Sequence, residues 1–341
     1  MKKENWLYEI SFMRPVLLVL LVMYHAFAPF CGSWIQPIDI SQEFYVEVYK
    51  WIALFARAFR LEAFVFVSGY VFAMQVIKKN KFVSLKELAK SKFIRLIIPC
   101  WIFGLVYWLM FRTTSPVVIL KGIGHLWYLP CLFWCFLFAF FLYKKEWNEK
   151  FVILSLFIVS AVSFIPLPMQ LNRTMYYLLF FYLGGYAWKY SNILAANANL
   201  RTISLSFLLF VILLVGVNLF KEYSLSLISS SHGILFKACV LGVNNITKAL
   251  LAFVGILTLF LTASFYMKNH VLHEKIIYIG TLGYGVYVFH QFILRWLYYN
   301  TSMPNIVGGV WYPWIGLFVA LVCSIMLTIL FRNFKVGRML L

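Results

Sequence analysis

The sequence predicts an all-α fold, a polytopic helical bundle in a membrane, from three observations. Hydrophobic residues make up 63% of the 341 residues, charged residues make up 12%, and the mean hydropathy is +0.86. Soluble domains are closer to half apolar and about a quarter charged. Apolar stretches of about 20 residues, each long enough to cross the hydrocarbon core of a bilayer, recur along the whole chain. These stretches predict about ten transmembrane helices.

The predicted spans follow the apolar stretches in chain order. They cover residues 12–31, 51–77, 94–111, 125–143, 151–168, 174–190, 202–220, 246–267, 276–297 and 313–331. The first span holds an apolar run between an arginine and a histidine, the second holds a carboxylate, and the third follows the most basic loop. The fourth span begins with an aromatic-rich segment and the ninth contains a histidine. The other spans are predicted only from the length of their apolar stretches.

The distribution of basic residues predicts the orientation of the bundle. An even number of spans places both termini on the same side of the membrane. Most of the 30 lysines and arginines fall in the segments on that side, with a dense run at 78–95. This positive-inside bias predicts that both termini face the cytoplasm. The net charge of +19 is then explained by topology and by attraction to anionic lipid, which argues against a nucleic-acid-binding protein.

The sequence predicts a single membrane domain over 1–341, without an appended soluble domain. It shows no long linker, low-complexity tract or strong internal repeat, and the first span lacks a convincing signal-peptide cleavage site. Cys131 and Cys135 share a helical face, but no further cysteine or histidine pair follows at ligand spacing. We therefore predict no metal site.

Arg14 and His25 are the first candidate functional residues. His25 follows Arg14 by eleven positions, which on one helix correspond to about three turns, or roughly 16 Å along the axis, so both side chains share a face. Ionisable residues inside a membrane are costly and by default indicate function. We expect Arg14 near one membrane face and His25 well inside, toward the other.

Glu62 is the one acidic residue that falls inside an apolar stretch of a predicted span. A carboxylate in hydrocarbon requires a partner or a wet cavity. Arg60 is poorly placed on the same helix, because residues two apart face away from each other. We therefore expect the partner of Glu62 on another span, in either a functional or a helix-packing role. In the same stretch, Gly69 is expected to allow close approach of a neighbouring helix.

Two further histidines and one cationic pair complete the candidates. His125 opens the aromatic run GHLWYLP, and His290 closes the run YGVYVFH. Each alone is compatible with a packed, hydrogen-bonded residue, but three histidines in or beside spans favour a shared role. Lys92 and Arg95 are three apart and would present one cationic edge at the cytoplasmic face. Such an edge suits either membrane anchoring or a phosphate-bearing ligand.

Taken in order, six segments resemble motifs of the membrane acyltransferase-3 family, bacterial integral membrane proteins that acylate cell-surface carbohydrates. Arg14 and His25 reproduce an arginine and a histidine separated by ten residues. The other matching segments are 59–70 (FRLEAF…SGY), 92–99 (KFIRLIIP), 124–129 (GHLWYL), 183–186 (LGGY) and 284–290 (YGVYVFH). Lys92 departs from the family pattern, since an arginine usually stands there. Gly283 stands in place of a common serine, and the aspartate that often precedes the arginine is missing.

The resemblance implies transfer of an acyl group, most often acetyl, from cytoplasmic acyl-CoA to a sugar hydroxyl outside a bacterial cytoplasmic membrane. It implies that Arg14, Lys92 and Arg95 contact the phosphates of CoA. It also implies that His25 acts as general base or carries the acyl group, with Arg14 and Glu62 as further catalytic residues. The expected acceptor and orienting residues are Arg60, His125, Trp127, Tyr287 and His290. Acyl-CoA is a co-substrate, and no permanently bound cofactor is expected.

Two other classes of protein remain compatible with the residues. A transporter or flippase of a glycan or an acylated intermediate also uses buried arginine, histidine and glutamate. The missing inverted repeat and the concentration of polar residues near the first two spans argue against it. A regulatory or scaffolding membrane protein would not require these buried charges.

Overall fold

The computed structural model describes residues 8–40, 43–112, 115–145, 147–230 and 233–341, and every regular element within these ranges is a helix. The helices are α1 (Tyr8–Ala26), α2 (Tyr45–Arg57), α3 (Arg60–Ala73), α4 (Leu85–Lys92), α5 (Ile98–Phe111), α6 (Tyr128–Lys144), α7 (Glu149–Ala161), α8 (Leu171–Lys189), α9 (Ser191–Ala196), α10 (Leu200–Ser230), α11 (Ile234–Asn269), α12 (Glu274–Thr281), α13 (Gly283–Tyr299), α14 (Met303–Asn333) and α15 (Lys335–Leu340). Two π-helical turns, Met74–Lys78 and Phe93–Ile97, extend α3 and join α4 to α5.

Contacts divide the chain into two compact units. The terminal unit comprises Met1–Leu61 and Asn269–Leu341, and the central unit comprises Glu62–Lys268. The terminal unit therefore contains α1, α2 and the helices from α12 onward. The central unit contains α4 to α11 and nearly all of α3.

Within the described residues, seven helical segments are long and apolar enough to cross a membrane, and the bent pair α12–α13 makes an eighth if it is one span. The all-helical fold with several membrane-crossing helices is confirmed, whereas the count of ten is not. The two predicted spans outside this set correspond to α7 and α8. The α7 helix has only 13 residues, and α8 is rich in tyrosine and glycine, which lower its hydropathy.

The predicted loop between spans seven and eight was wrong in extent. The sequence suggested a loop at 221–245, but α10 continues to Ser230 and α11 begins at Ile234. Polar residues such as Lys221 and Lys237 do not end a helix, and neither flank contains a proline. With 31 and 36 residues, α10 and α11 are about 46 and 54 Å long at 1.5 Å per residue. Both exceed the roughly 30 Å hydrocarbon core.

In the terminal unit, α1 packs against α13 and α14 through a buried apolar cluster that includes Leu18, Val22, Val286 and Leu294. The Tyr298 hydroxyl donates to the carbonyl of Ala26 at 2.9 Å. This bond satisfies a carbonyl that the end of α1 would otherwise leave unpaired in an apolar environment. The contacts fix α13 beside the carboxyl-terminal half of α1.

In the central unit, α8 crosses α3 at a point where both helices carry glycine. The carbonyl oxygen of Phe181 lies where a Cβ atom on Gly69 would be, and the carbonyl oxygen of Phe66 lies where a Cβ atom on Gly184 would be. The backbones therefore approach each other as only small residues allow. The expectation that Gly69 permits close approach of a neighbouring helix is confirmed.

Candidate functional site

The two membrane-embedded histidines of the terminal unit are hydrogen-bonded to each other. His25 Nδ1 on α1 and His290 Nε2 on α13 are 3.1 Å apart, and both residues are buried. Each Nδ1 also contacts a carbonyl of its own helix, at 2.9 Å to Leu21 and 3.0 Å to Val286. The sequence singled out both histidines, and the structure brings them together.

These contacts determine which nitrogens carry protons when both rings are neutral. A carbonyl oxygen only accepts hydrogen bonds, so the Nδ1 of His290 donates to Val286 and its Nε2 is an acceptor. The Nδ1 of His25 then carries the proton shared between Leu21 and His290. We infer from this assignment that Nε2 of His25 is unprotonated. Its lone pair is the one that could accept a proton if His25 acts as a general base.

The aromatic ring of Tyr24 lies between His25 and Arg60 of the same unit. The Tyr24 ring lies edge-on to the His25 ring, with centroids 4.8 Å apart. The guanidinium carbon of Arg60 lies 3.7 Å from the centroid of Tyr24. Arg60 is buried, as a residue with a role near His25 requires. This arrangement places a positive charge one aromatic ring away from the imidazole.

The other candidates of the terminal unit lie along the same helices. Arg14 is on α1, about three turns from His25, and its Cβ lies 3.3 Å from the position that a Cβ on Gly280 would take. Tyr287 is on α13, with its ring centroid 6.3 Å from that of His290. The predicted common helix of Arg14 and His25 is therefore present without interruption.

In the central unit, Glu62 is paired with Lys248. The lysine nitrogen lies 3.7 Å from a carboxylate oxygen, and the two side chains are 50% and 3% exposed, respectively. The same lysine nitrogen lies 4.4 Å from the ring centroid of Tyr176 on α8. The expectation that the partner of Glu62 comes from another span is confirmed. Lys248 falls near the start of the predicted span 246–267 and lies well within the longer helix α11.

The aromatic segment 124–129 forms a second cluster in the central unit. His125 is buried with its ring centroid 6.0 Å from that of Tyr107. The guanidinium carbon of Arg173 lies 4.0 Å from the Trp127 ring centroid, and the Tyr177 ring lies 5.9 Å away. The two candidates His125 and Trp127 thus lie directly before α6, among aromatic and cationic side chains.

The predicted cationic pair differs in its surroundings. The Lys92 ammonium lies 3.6 Å from the ring centroid of Phe136, with Phe72 and Phe82 at 5.9 and 6.0 Å. Arg95 is exposed and belongs to the π-helical turn Phe93–Ile97. Of the two, Arg95 is the cation that is presented to solvent. A lysine in contact with three aromatic rings stabilises the packing of the helices, in addition to any contact with a ligand.

Sequence reasoning missed three residues that contact the candidates. They are Trp34, whose ring centroid is 5.8 Å from that of His25, and the two cations Arg173 and Lys248. The tryptophan follows the first span in a segment that carries no recognisable motif. The two cations belong to none of the motifs from which the candidates were chosen. Within the described residues, no group of three or more histidine, cysteine or acidic side chains could hold a metal ion.

Comparison with known proteins gives a family but no individual relative. No curated protein and no solved structure matches the chain. The profile of the acyltransferase-3 family, described as an acyltransferase domain, matches residues 7–331. This range includes every candidate residue described above. On a match that covers nearly the whole sequence, the chain belongs to the acyltransferase-3 family.

Proposed function

We propose that this multi-pass membrane acyltransferase moves an acyl group, acetyl in the simplest case, from acyl-CoA to a hydroxyl of a cell-surface or lipid-linked carbohydrate. The observation that carries the proposal is the hydrogen bond between His25 and His290, with the Leu21 carbonyl on the same His25 nitrogen. It orients a histidine inside the bundle with its basic nitrogen determined by its partners. Family membership supports the acyl-transfer reaction class.

The chemistry follows from that orientation. His25 Nε2 takes the proton of the acceptor hydroxyl as its oxygen attacks the thioester carbonyl of acyl-CoA. The tetrahedral intermediate collapses, the C–S bond breaks, and the imidazolium returns the proton to the departing thiolate. The products are an ester and CoA. Arg60 supplies positive charge for the developing oxyanion, and His290 accepts the Nδ1 proton that the imidazolium carries.

Three cations are proposed for the donor. Arg14 lies on α1 toward its amino-terminal end, and Arg95 is exposed on the π-helical turn that follows the basic loop. Single π-helical turns are frequent at functional sites. Charge-assisted hydrogen bonds to the phosphates of CoA are the proposed role of Arg14, Lys92 and Arg95.

The proposed setting is a bacterial cytoplasmic membrane, with both termini cytoplasmic. In the central unit, α3 with its π-helical turn, α6, α8 and α11 all carry lysine in their last turn. This agrees with a cytoplasmic face rich in positive charge.

A crossing by α7 would raise the number of spans toward ten, and contacts at both ends of this short helix support it. Glu149 at its start pairs with Lys189 at 2.6 Å, at the end of α8. At its other end, the carbonyl of Ala161 accepts a hydrogen bond from the side-chain amide of Asn245 at 3.2 Å, and Asn245 is less than one turn from Lys248. About 30 Å of α11 separates Lys248 from Lys268, which is enough to cross the hydrocarbon core.

The experiment follows both acyl-CoA and the protein. Purified protein in nanodiscs is incubated with [acetyl-¹⁴C]acetyl-CoA and a crude cell-surface glycan fraction, and release of CoA and transfer of label are measured. We expect His25→Ala to lower transfer by about 10²- to 10⁴-fold, with an unchanged elution profile and circular dichroism. Transfer by His25→Ala at the wild-type rate would refute the mechanism. A second measurement follows glycan transport across the membrane of vesicles that contain the wild-type protein. If the protein transports glycan there but leaves acetyl-CoA and longer acyl-CoAs intact, it is a transporter.

A further inference from the structure

A folded-back segment presents Trp34 to His25. The 3₁₀ turn Ala28–Cys31 is followed by Gly32, whose φ of 68° is in the left-handed region. The amides of Ser33 and Trp34 then donate back to the Ala28 carbonyl, at 3.1 and 3.4 Å. This turn reverses the chain at the end of α1, next to the histidine.

Three tyrosine hydroxyls hold the same segment, hereafter the Trp34 loop (28–36). Tyr24 donates to the Ser33 hydroxyl at 2.9 Å, Tyr299 to the Ile35 carbonyl at 2.8 Å, and Tyr312 to the Gln36 side-chain oxygen at 2.9 Å. The donors come from α1, α13 and α14, so the loop is bound to three helices. Such a loop has little freedom, and the half-buried Trp34 ring is held 5.8 Å from the His25 ring, tilted by 44°.

Arg295 is a cation that the proposed reaction has not used. It lies on α13, in the same unit, with its guanidinium carbon 5.6 Å from the Trp34 ring centroid and 6.0 Å from that of Tyr299. A guanidinium has five N–H donors in a fork that matches a carboxylate or a phosphate. Its contact with the Trp34 ring, which itself lies beside His25, indicates a role at the site.

We propose that Trp34 and Arg295 form the acceptor subsite, and that the acceptor is a pyranose that carries an anionic group. The proposal rests on the proposed function of His25. A flat indole offers an apolar surface to the C–H face of a sugar ring. A ring stacked there has hydroxyls at the edge facing His25 and its carboxylate or phosphate at the edge facing Arg295, where a charge-assisted bond fixes its orientation.

The test uses two pairs of probes that differ by one charged group. The first pair is a glucuronate-containing tetrasaccharide and its carboxyl-reduced form. The second is a tetrasaccharide with a terminal 6-phosphate and its dephosphorylated form. Acceptor KM and kcat are measured for wild type, Trp34→Ala, Trp34→Phe, Arg295→Gln and Arg295→Lys in nanodiscs of phosphatidylcholine. The matched control is Trp296→Ala, since Trp296 is adjacent to Arg295 on α13 but 51% exposed.

In the wild type we expect an acceptor KM about tenfold lower or better for the anionic member of at least one pair. Arg295→Gln should abolish that preference, and Arg295→Lys should keep part of it. Trp34→Ala should raise the KM for both members by about tenfold with a smaller change in kcat, and Trp34→Phe should recover part of the loss. Trp296→Ala should behave as wild type.

Equal KM values within both pairs, preference for the neutral members, or an Arg295→Gln variant that keeps the preference would overturn the proposal. Direct binding of the four probes, measured by isothermal titration calorimetry without acyl-CoA, separates it from the proposed function. Charge-selective binding without any acyl transfer would leave the subsite standing and refute the transferase. Acyl transfer to the neutral sugars alone would support the transferase and refute the anionic acceptor subsite. If Trp34→Ala does not fold, the wild-type comparison and Arg295→Gln still decide the outcome.

Discussion

The buried carboxylate of Glu62 on α3 is neutralised by Lys248 on α11, with 3.7 Å between the nitrogen and oxygen atoms. One partner is almost fully enclosed and the other is half in solvent, so this pair differs from both an exposed and a fully buried salt bridge. Tyr176 on α8 lies under the same lysine at 4.4 Å. Three helices of the central unit therefore meet at one charged contact.

This arrangement predicts the effects of removing either charge. Lys248→Gln leaves the buried carboxylate without its counter-charge and should destabilise the protein by about 1–3 kcal/mol, less than for a fully buried pair, because water screens the lysine. Glu62→Gln is the second single variant, and the double variant Glu62→Gln/Lys248→Gln should recover part of the loss caused by Lys248→Gln. Thermal unfolding in detergent measures all three, with the exposed Lys121→Gln as control. A double variant with the sum of the two single losses would show that the charges are not coupled.

A second prediction concerns His290 as a positioning residue for His25. His290→Ala removes the acceptor of the His25 Nδ1 proton and should lower kcat by roughly 10- to 100-fold, the value of a hydrogen bond to a charged group. His290→Gln offers a carbonyl oxygen and should restore part of the rate. Equal losses in both variants at unchanged thermal stability would argue against this role. Steady-state CoA release is the measurement.

The two cations of the basic segment should respond differently to neutralisation. Lys92→Met removes a cation–π contact with Phe136 and should lower stability by about 0.5–2 kcal/mol. Arg95→Gln removes an exposed cation and should raise the KM for acetyl-CoA with little effect on unfolding. Unfolding temperature and donor KM are measured for both variants. A Lys92→Met variant with native stability would contradict the packing role, whereas a raised donor KM would support its proposed contact with the phosphates of CoA.

The glycine contact between α3 and α8 predicts a stability effect with an internal control. Gly184→Ala places a methyl group where the Phe66 carbonyl lies and should cost about 1–3 kcal/mol, because two helix backbones must separate. Gly216→Ala on α10 meets no atom within 4 Å and should be neutral or slightly stabilising. Unfolding temperatures of the two variants provide the comparison. Similar values for both would contradict the close approach.

The sequence predicted the helical membrane fold, the family and the helix–helix role of Gly69, because hydrophobicity and small-residue placement act locally. It also predicted that Glu62 finds its partner on another span. It did not identify Lys248, because the sequence does not show which residue of another helix packs against Glu62. The contact between His25 and His290 was equally inaccessible, since it depends on how α1 and α13 pack rather than on either segment.

Trp34 illustrates a second limit. Its position depends on a left-handed glycine, two amides that share one carbonyl, and hydroxyls from three helices. None of these contacts follows a repeating pattern in the sequence. Candidate residues that belong to motifs were therefore predictable, whereas Trp34, which lies outside the helices and outside every motif, was not.

The 265 residues that separate His25 from His290 have a consequence for biosynthesis. During translation, α1 enters the membrane long before α13 leaves the ribosome, and the whole central unit is made in between. A nascent chain that stops short of α13 therefore keeps the contact of His25 with Leu21 but lacks the contact with His290. On the proposed function, the full rate of acyl transfer then requires insertion of the last helices, and an incomplete chain in the membrane should consume less acyl-CoA.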